Sequence, residues 1–329
     1  MEQKINSMIK GIGSAIPGKT LTNLDLEKMV DTSDAWIRER TGIQKRHIVD
    51  DKIQNSDLCT EAALKALDEA GMKAIELDTI IVGTITGDVS FPSTACYVQQ
   101  KIGAVNAAAF DIQATCSGFI FALSVADGFI GTGQSKNVLI IGSEVLSRIV
   151  DWTDRTTCVL FGDAAGAAVL GPSNAEGRGV LGTYIKTDGR LGHLLWRPGG
   201  GTRFPLSVVM NENLNYIKME GPEVFKAAVM AMGDAAAHIL EKTGLSPDDI
   251  DLLIPHQANI RIIKATARKL KVPLEKVYIN IHEYGNTSAA SIPVAITEAK
   301  QKGLLNPGDV CLMVAFGGGF TWGSAVIRM

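Results

Sequence analysis

Residues 110–118 read Phe-Asp-Ile-Gln-Ala-Thr-Cys-Ser-Gly, and the mostly apolar segment 119–126 follows them. This pattern predicts a strand that ends in a glycine-containing turn and leads into a helix, with Cys116 at or near the helix N-terminus. Unpaired backbone N–H groups at such a terminus favour the thiolate and lower a cysteine pKa from about 8.5 to roughly 3.5–7.5. The stretch therefore predicts a reactive cysteine in an α/β fold.

Two polar residues in the second half of the chain complete a candidate set with Cys116. His256 directly follows the apolar segment 251–255, and Asn286 lies in a Gly-Asn-Thr-Ser turn before an alanine-rich segment. A lone histidine is more often structural, but the polar residues around His256 at the end of a buried strand favour a functional role. Taken alone, an asparagine in a turn is more often a helix cap, and the equivalence of Asn286 to Cys116 favours a functional role for it. Together the three residues predict acyl chemistry through a thioester.

Apolar strands and helices alternate along the chain, which favours a buried, mostly parallel sheet with helices on both faces. The predicted strands are 79–83, 107–112, 137–142, 165–170, 251–255, 277–281, 310–316 and 324–328. The predicted helices are 56–70, 93–102, 117–131, 222–243, 260–270 and 289–302.

The two halves of this pattern match in order and approximate spacing. From Ile80 to Cys116 is 36 positions, and from Leu252 to Asn286 is 34. The match predicts a duplicated βα unit with a pseudo-twofold axis, its halves being residues 1–174 and 175–329. Cys116 and Asn286 would then occupy equivalent strand–helix turns, and the candidate residues would converge at the strand ends. Segment 171–201, rich in glycine and polar residues, is predicted to be a linker with loops that cover a site.

Composition excludes several classes of protein. The chain has 329 residues, 46% of them hydrophobic, and a net charge of −3, which disfavours a nucleic-acid or cationic membrane-surface protein. No apolar run approaches the roughly 18 residues of a membrane span, and residues 1–17 lack a convincing signal peptide. The five cysteines form no Cys-x-x-Cys pair, so neither a disulfide framework nor a metal site is predicted. We expect a cytoplasmic protein.

Two further segments carry candidate functions. Phe-Gly-Gly-Gly-Phe at 316–320 follows an apolar strand and predicts backbone N–H groups close to a reacting carbonyl. Losing one donor of such an oxyanion hole typically costs about 2.7–4 kcal/mol of transition-state stabilisation. Arg261, Lys264 and Arg268 form a basic stripe on one predicted helix. Such a stripe is usually a solvated face, but beside His256 it is also suited to docking an acidic partner.

These motifs together resemble the β-ketoacyl-acyl carrier protein synthase III family over essentially the whole chain. The matching stretches are 32–37, 40–43, the Cys116 turn, 161–163, 223–226, 256–259, 285–288 and 317–323. The resemblance implies a thiolase-like α/β fold, in which two pseudo-twofold-related βα halves form α/β/α/β/α layers. It also implies a homodimeric enzyme.

The resemblance further implies an acyltransferase reaction in two stages. Cys116 would attack a short acyl-CoA and release CoA, with the backbone N–H groups of Cys116 and Gly318 as the oxyanion hole. Malonyl-acyl carrier protein would then bind, and His256 and Asn286 would hydrogen-bond its thioester oxygen as CO₂ leaves. The enolate would attack the acyl-enzyme and give a β-ketoacyl-acyl carrier protein, the first condensation of fatty acid biosynthesis. Acyl-CoA is a substrate, and no cofactor is expected.

Binding residues follow from the same resemblance. The family's CoA contacts fall on Thr32, Trp36, Arg40, Arg155 and Asn259, with Trp36 and Arg155 on either side of the adenine. Arg261 would help dock the acidic carrier protein, together with Lys264 and Arg268 of the basic stripe. Phe91 would reach into the acyl pocket of a partner subunit and help to select the primer.

Alternatives share part of this pattern. A starter-unit synthase of polyketide or other secondary metabolism would use the same three residues. Hydroxymethylglutaryl-CoA synthase would need a catalytic glutamate, and a thiolase a second active cysteine, whereas Cys311 is predicted to lie in the core. A papain-like peptidase has the same Cys, His, Asn order, but the chain lacks the Cys-Gly-Ser-Cys-Trp surroundings of that family.

Overall fold

Strands and helices alternate along most of the computed structural model, which describes residues 6–173, 177–205, 207 and 214–329. The strands are β1 (Ser7–Ala15), β2 (Lys19–Thr22), β3 (Lys45–Ile48), β4 (Thr79–Gly83), β5 (Ala108–Ile112), β6 (Val138–Glu144), β7 (Ala164–Pro172), β8 (Gly179–Thr187), β9 (Leu195–Trp196), β10 (Lys218–Met219), β11 (Leu252–Pro255), β12 (Val310–Gly317) and β13 (Thr321–Arg328). The helices are α1 (Asn23–Leu26), α2 (Asp34–Thr41), α3 (Asn55–Ala70), α4 (Thr94–Ile102), α5 (Gly118–Gly131), α6 (Gly221–Thr243), α7 (Ile260–Leu270), α8 (Ile281–Tyr284) and α9 (Ser291–Gln301).

Two sheets form the framework. The first has the strand order β1-β7-β6-β4-β5, and the second has the order β8-β13-β12-β11. In each sheet the first two pairs are antiparallel and the next is parallel. A parallel bridge between Leu253 and Val277 extends the second sheet where β5 extends the first. The predicted duplication is therefore confirmed.

The prediction of mostly parallel sheets was wrong, because both sheets are mixed. β12 and β13 are joined by only three residues, 318–320. A connection this short can join only antiparallel strands, since a parallel pair needs a crossover of about a dozen residues or more. In the first sheet β7 returns antiparallel to β6 in the corresponding place.

The elements stack in five layers, as the resemblance implied. Helices α5 and α9 lie between the sheets, and both contact strands of each. Helices α3 and α4 cover the outer face of the first sheet, while α6, with α7 packed against it, covers the outer face of the second. Apolar clusters fill all the spaces between these layers. Burial on both faces explains why strands such as β6 are apolar runs rather than alternating sequences.

The two halves keep the same internal spacing. Thr79 begins β4 and Leu252 begins β11. Thr115 and Ser288 each begin a 3-10 turn and lie 36 positions further on (79 to 115 and 252 to 288). Both residues have positive φ, 46° and 49°, in the left-handed region that only a few per cent of residues other than glycine adopt. This shared strain fixes how the two halves correspond.

That correspondence corrects one prediction. Cys116 and Asn286 belong to equivalent turns but not to equivalent positions. The residue equivalent to Cys116 is Ala289, because each is the second residue of its 3-10 turn. Asn286 lies three residues before Ala289 in the turn of the second half.

Other boundaries differ from the sequence expectation. Segment 171–201 is only in part a linker of loops, because it contains β8, which pairs with β13 along the edge of the second sheet. Residues 199–201 at its end do line a cavity that reaches Cys116. The predicted strand at 277–281 is reduced to the bridge at Val277, and residues from Ile281 onward form α8. The proposed boundary between residues 174 and 175 lies outside the described residues. Among the helices that the structure describes, none has both the length and the apolar character needed to cross a bilayer.

Candidate active site

Cys116 lies between the end of β5 and the start of α5, as predicted, on the 3-10 turn Thr115–Ser117. Its side chain is buried, with 9% of its surface exposed. Burial raises the pKa of Cys116 to about 12, and a hydrogen bond with the Ser288 side chain opposes this rise. The expectation of a lowered pKa is therefore wrong for this structure, because loss of hydration dominates. At neutral pH the group is a thiol.

His256 follows β11 and is 1% exposed. Its Nδ1 lies 2.7 Å from the Oγ of Ser291, at the start of α9. That Oγ also accepts from the Gln257 N–H at 3.4 Å, and we assign its own proton to the bond with the histidine. Nδ1 then accepts, and Nε2 carries the imidazole proton. Burial lowers the pKa of His256 to about 3, so the ring is neutral and its Nε2–H is a donor.

Asn286 is held in a turn that packs against residues 160–162. Its N–H donates to the Leu160 carbonyl at 2.9 Å, and its carbonyl accepts from the Gly162 N–H at 3.1 Å. Its side-chain Oδ1 accepts from the Ser288 N–H at 2.9 Å. Since the oxygen is engaged, Nδ2 is the end of this amide that offers hydrogen bonds to a ligand.

One cavity of about 620 Å³, here called cavity A, brings the three candidate residues together. Its wall includes Cys116, His256, Asn286 and Phe316, and its outer part includes Trp36, Arg40, Arg155, Asn259 and Arg261. The wall thus combines side chains from both halves of the chain. A second cavity of about 470 Å³, cavity B, also reaches Cys116 and is lined by Val89, Ser288 and residues 199–201, among others. Cys116 therefore lies where the two cavities meet.

The glycine-rich loop after β12 packs against the Cys116 turn. A Cβ atom at Gly317 would lie 2.7 Å from the Cys116 backbone nitrogen, and one at Gly318 would lie 2.6 Å from the Leu195 carbonyl oxygen. Neither position has room for a side chain. The Thr115 hydroxyl donates to the Gly318 carbonyl at 3.0 Å and ties the loop to the turn. The structure thus places the glycine-rich loop, including Gly318, against the Cys116 turn, as the sequence predicted for the loop.

Trp36 and Arg155 are neighbours at the outer end of cavity A. Ser33 caps α2 by accepting from the Trp36 N–H at 3.2 Å, which fixes the helix that carries the indole. The Arg155 guanidinium carbon lies 5.4 Å from the indole centroid, and that of Arg40 lies 6.0 Å away. Inserting an aromatic ring between Trp36 and Arg155 needs roughly 7 Å, two stacking distances, so Arg155 must move outward to admit one.

The remaining predicted binding residues, Asn259, Thr32 and Phe91, differ in how they lie relative to the two cavities. Asn259 caps α7, with Oδ1 accepting from the Arg261 N–H at 2.8 Å and Nδ2 donating to the Arg40 carbonyl at 3.0 Å. Thr32 is not among the residues lining either cavity, but its hydroxyl is buried and has no partner among the described residues. Phe91 lines neither cavity and is 85% exposed.

The basic stripe is present on α7. Arg261, Lys264 and Arg268 are all exposed, and none has an ion-pair partner within the described parts of the chain. The neighbouring Lys269 instead pairs with Asp234 at 2.7 Å. The opposite side of α7 buries Ile262, among others, so the cations face away from the core.

Sequence reasoning missed Glu144, Ser288 and Ser291, which surround the candidate set. Ser291 and Ser288 lie in the small-residue stretch after Asn286, where nothing marks them as partners of distant residues. Glu144 did carry a signal, since a carboxyl group ends the otherwise uncharged and fully buried strand β6. Cys311 is buried in β12, which confirms that it belongs to the core.

Comparison with known proteins agrees with this architecture. The family model for 3-oxoacyl-[acyl-carrier-protein (ACP)] synthase III matches residues 110–189, and that for its C-terminal part matches residues 240–329. The β-ketoacyl-[acyl-carrier-protein] synthase III of Caldanaerobacter subterraneus subsp. tengcongensis is 56% identical over 329 residues, which are 100% of this chain and 99% of the relative.

Solved structures give the same result. The 3-oxoacyl-[acyl-carrier-protein] synthase III of Aquifex aeolicus VF5 has a TM-score of 0.92 and 49% identity, covering 98% of this chain and 100% of its own. The priming β-ketosynthase of the R1128 polyketide pathway has the same TM-score but 31% identity, covering 99% and 97%. The thiolase-like fold is thereby confirmed, and the papain-like alternative is excluded. The chain belongs to the β-ketoacyl-acyl carrier protein synthase III family, whose members are condensing acyltransferases that initiate fatty acid synthesis.

Proposed function

We propose that Cys116, His256 and Asn286 carry out this condensation, with acyl-CoA entering through cavity A. The observation that carries the proposal is that one cavity joins the thiol and two neutral donors to an indole and a guanidinium at its outer end. The indole and guanidinium suit stacking on a nucleotide base. The thiol at the inner end suits attack on a thioester.

In the first stage the Cys116 sulfur attacks the acyl carbonyl and CoA leaves. The backbone N–H groups of Cys116 and Gly318 hold the oxyanion, a role supported by the close packing of the glycine loop on the Cys116 turn. CoA lies along the wall formed by Trp36, Arg40, Arg155 and Asn259, and Thr32 contributes its unpartnered hydroxyl.

In the second stage malonyl-acyl carrier protein replaces CoA. His256 and Asn286 donate hydrogen bonds from Nε2 and Nδ2 to the thioester oxygen, on which negative charge develops as CO₂ leaves. The neutrality of His256 favours this role, because a buried imidazole with a pKa of about 3 keeps a donor at Nε2 without carrying a charge. The resulting carbanion attacks the acyl-enzyme. No metal or further cofactor takes part.

The carrier protein docks on the three unpaired cations of α7, Arg261, Lys264 and Arg268. Their lack of ion-pair partners among the described residues supports this, because complementary charge steers an acidic partner to the mouth of cavity A.

The functional unit is a homodimer in which Phe91 enters cavity B of the partner subunit and helps to select the primer. An aromatic side chain that is 85% exposed supports this placement. The cytoplasm remains the predicted compartment, and it is supported by the five cysteines, all within the described residues and all free thiols.

The deciding experiment measures the intact mass of the protein after incubation with a panel of acyl-CoAs. We expect one acyl group on the native protein and none on Cys116→Ala. His256→Ala and Asn286→Ala should still acylate, but should not release CO₂ from malonyl-acyl carrier protein. No adduct with any donor, or an adduct that persists in Cys116→Ala, would refute the proposal.

A further inference from the structure

Glu144 ends β6 and is fully buried beneath the wall of cavity B. Within the described residues no cation pairs with its carboxyl group. A buried carboxyl without a positive partner lowers stability unless hydrogen bonds compensate, and here four residues, Thr84, Ile85, Thr86 and Ser288, donate to it.

Hydroxyl groups surround this carboxyl. Its Oε2 accepts from Thr86 Oγ1 at 2.5 Å and from Thr84 Oγ1 at 3.2 Å. Its Oε1 accepts from Ser288 Oγ at 3.2 Å. Ser288 also lines cavity B together with Cys116, and its side chain lowers the pKa of that thiol. Because the Ser288 proton points to Glu144, the lone pairs of its oxygen are left to face cavity B, where the Cys116 thiol lies.

The conformation of Ser288 maintains this arrangement. Its φ of 49° is in the left-handed region, which is unfavourable for a residue with a side chain. In the same conformation its N–H donates to Asn286 Oδ1. One strained residue thus orients the Asn286 amide and places a hydroxyl between the thiol and the carboxyl.

The proton of Cys116 needs an acceptor, and two groups are candidates. Burial lowers the pKa of His256 to about 3, so the imidazole is a poor base. Burial raises the pKa of Glu144 to about 7, so this carboxyl gains and loses a proton near neutral pH. Within the described part of the chain, the Glu144 charge raises the pKa of two thiols, Cys116 and Cys59, and both are neutral at that pH.

We propose that Glu144 is a positioning residue that acts through Ser288 and takes up the Cys116 proton during acylation. This inference rests on the proposed function. As the sulfur bonds to the acyl carbon, the thiol proton passes to Ser288 Oγ and the hydroxyl proton of Ser288 passes to Glu144 Oε1. The C–S bond to CoA breaks, and the CoA thiolate takes a proton from solvent.

The same path closes the cycle in the second stage. Glu144 retains its proton while the acyl-enzyme exists. When the carbanion attacks the acyl carbon, the Cys116 sulfur leaves as a thiolate. The proton returns from Glu144 through Ser288 and regenerates the thiol and the carboxylate. The full cycle consumes one solvent proton, which balances the carboxylate lost as CO₂.

Two rates test this over pH 5.5–9: acylation by acyl-CoA and alkylation of Cys116 by iodoacetamide. In the native protein both should rise with pH around a midpoint near 7, as Glu144 ionises. Glu144→Gln and Ser288→Ala should lose that midpoint and react at least tenfold more slowly at pH 7.5. Glu144→Asp should recover part of the rate.

Asp163→Asn is the matched control, because Asp163 is also a buried carboxyl that accepts from a serine, Ser147 Oγ, at 2.6 Å. It should lower the melting temperature but keep the midpoint. The inference would be overturned if Glu144→Gln and Ser288→Ala both kept the native rates and the native midpoint. It would also be overturned if Asp163→Asn lost the midpoint as well. Failure of every acyl-CoA to acylate the native protein would refute the proposed function, while the alkylation profile would still decide the role of Glu144.

Discussion

Replacing Ser291 with alanine removes the hydroxyl that lies 2.7 Å from His256 Nδ1. Nδ1 of the buried ring is then an unsatisfied acceptor, which costs about 1–3 kcal/mol of stability. Without the hydroxyl proton, the imidazole proton is no longer held on Nε2, so the Nδ1–H form becomes populated and presents the Nε2 lone pair to the developing enolate. Losing one oxyanion donor weakens transition-state binding by about 2.7–4 kcal/mol, a factor of roughly 10²–10³.

The assay is CO₂ release from malonyl-acyl carrier protein by Ser291→Ala, compared with formation of the acyl-enzyme. We expect decarboxylation to fall by this factor, and acylation to change by less than threefold. Nitrogen chemical shifts of His256 should show the Nε2–H form in the native protein and the Nδ1–H form in the variant. Ser291→Thr keeps the hydroxyl and should retain most of the rate. A native rate of decarboxylation in Ser291→Ala, with the His256 proton still on Nε2, would refute the reasoning.

Three further outcomes follow from the site. Arg155→Ala should raise KM for acyl-CoA about 3- to 30-fold with little change in kcat, since a cation–π contact is worth about 0.5–2 kcal/mol; an unchanged KM in initial-rate kinetics would contradict base stacking. Arg268→Glu should raise KM for malonyl-acyl carrier protein at low salt and leave acylation by acyl-CoA unchanged; equal effects on both substrates would indicate misfolding instead. His256 has a pKa of about 3 in the folded protein, below the 6.5 of an exposed histidine, so between these values the unfolded state binds more protons. Its contribution to the free energy of unfolding should therefore fall as pH drops through this window, by up to about 1.4 kcal/mol per pH unit, and urea titrations of the native protein and His256→Gln should diverge accordingly.

The framework was predictable because hydrophobic periodicity reports burial directly. The strand at 79–83 and the helix at 260–270 match the structure at both ends. The prediction of a linker at 171–201 was wrong at β8 for a physical reason: this strand lies at a sheet edge and is partly exposed, so it lacks the apolar run of a central strand. The glycine and polar residues of this segment favoured a loop more strongly than its few apolar residues favoured a strand.

The site was predictable in its members but not in its electrostatics. Cys116, His256 and Asn286 stand out because polar side chains end buried strands or turns. The ionisation of Cys116 and His256 depends on how much water the folded protein excludes, which no local sequence encodes. Helix position predicted a low pKa for Cys116, whereas its burial beneath two cavities raises it. Ser288 and Glu144 were not linked to Cys116, because their contact depends on tertiary packing.

Cys116 and His256 are separated by 140 positions along the chain, and they meet only where the two duplicated halves are docked. Each half keeps its own sheet and outer helices, so a small separation of the halves would leave the circular dichroism spectrum nearly unchanged. It would nevertheless open the cavity and dismantle the donor set. Cysteine acylation is therefore a more sensitive probe of early unfolding than any spectroscopic measure of helix or strand content.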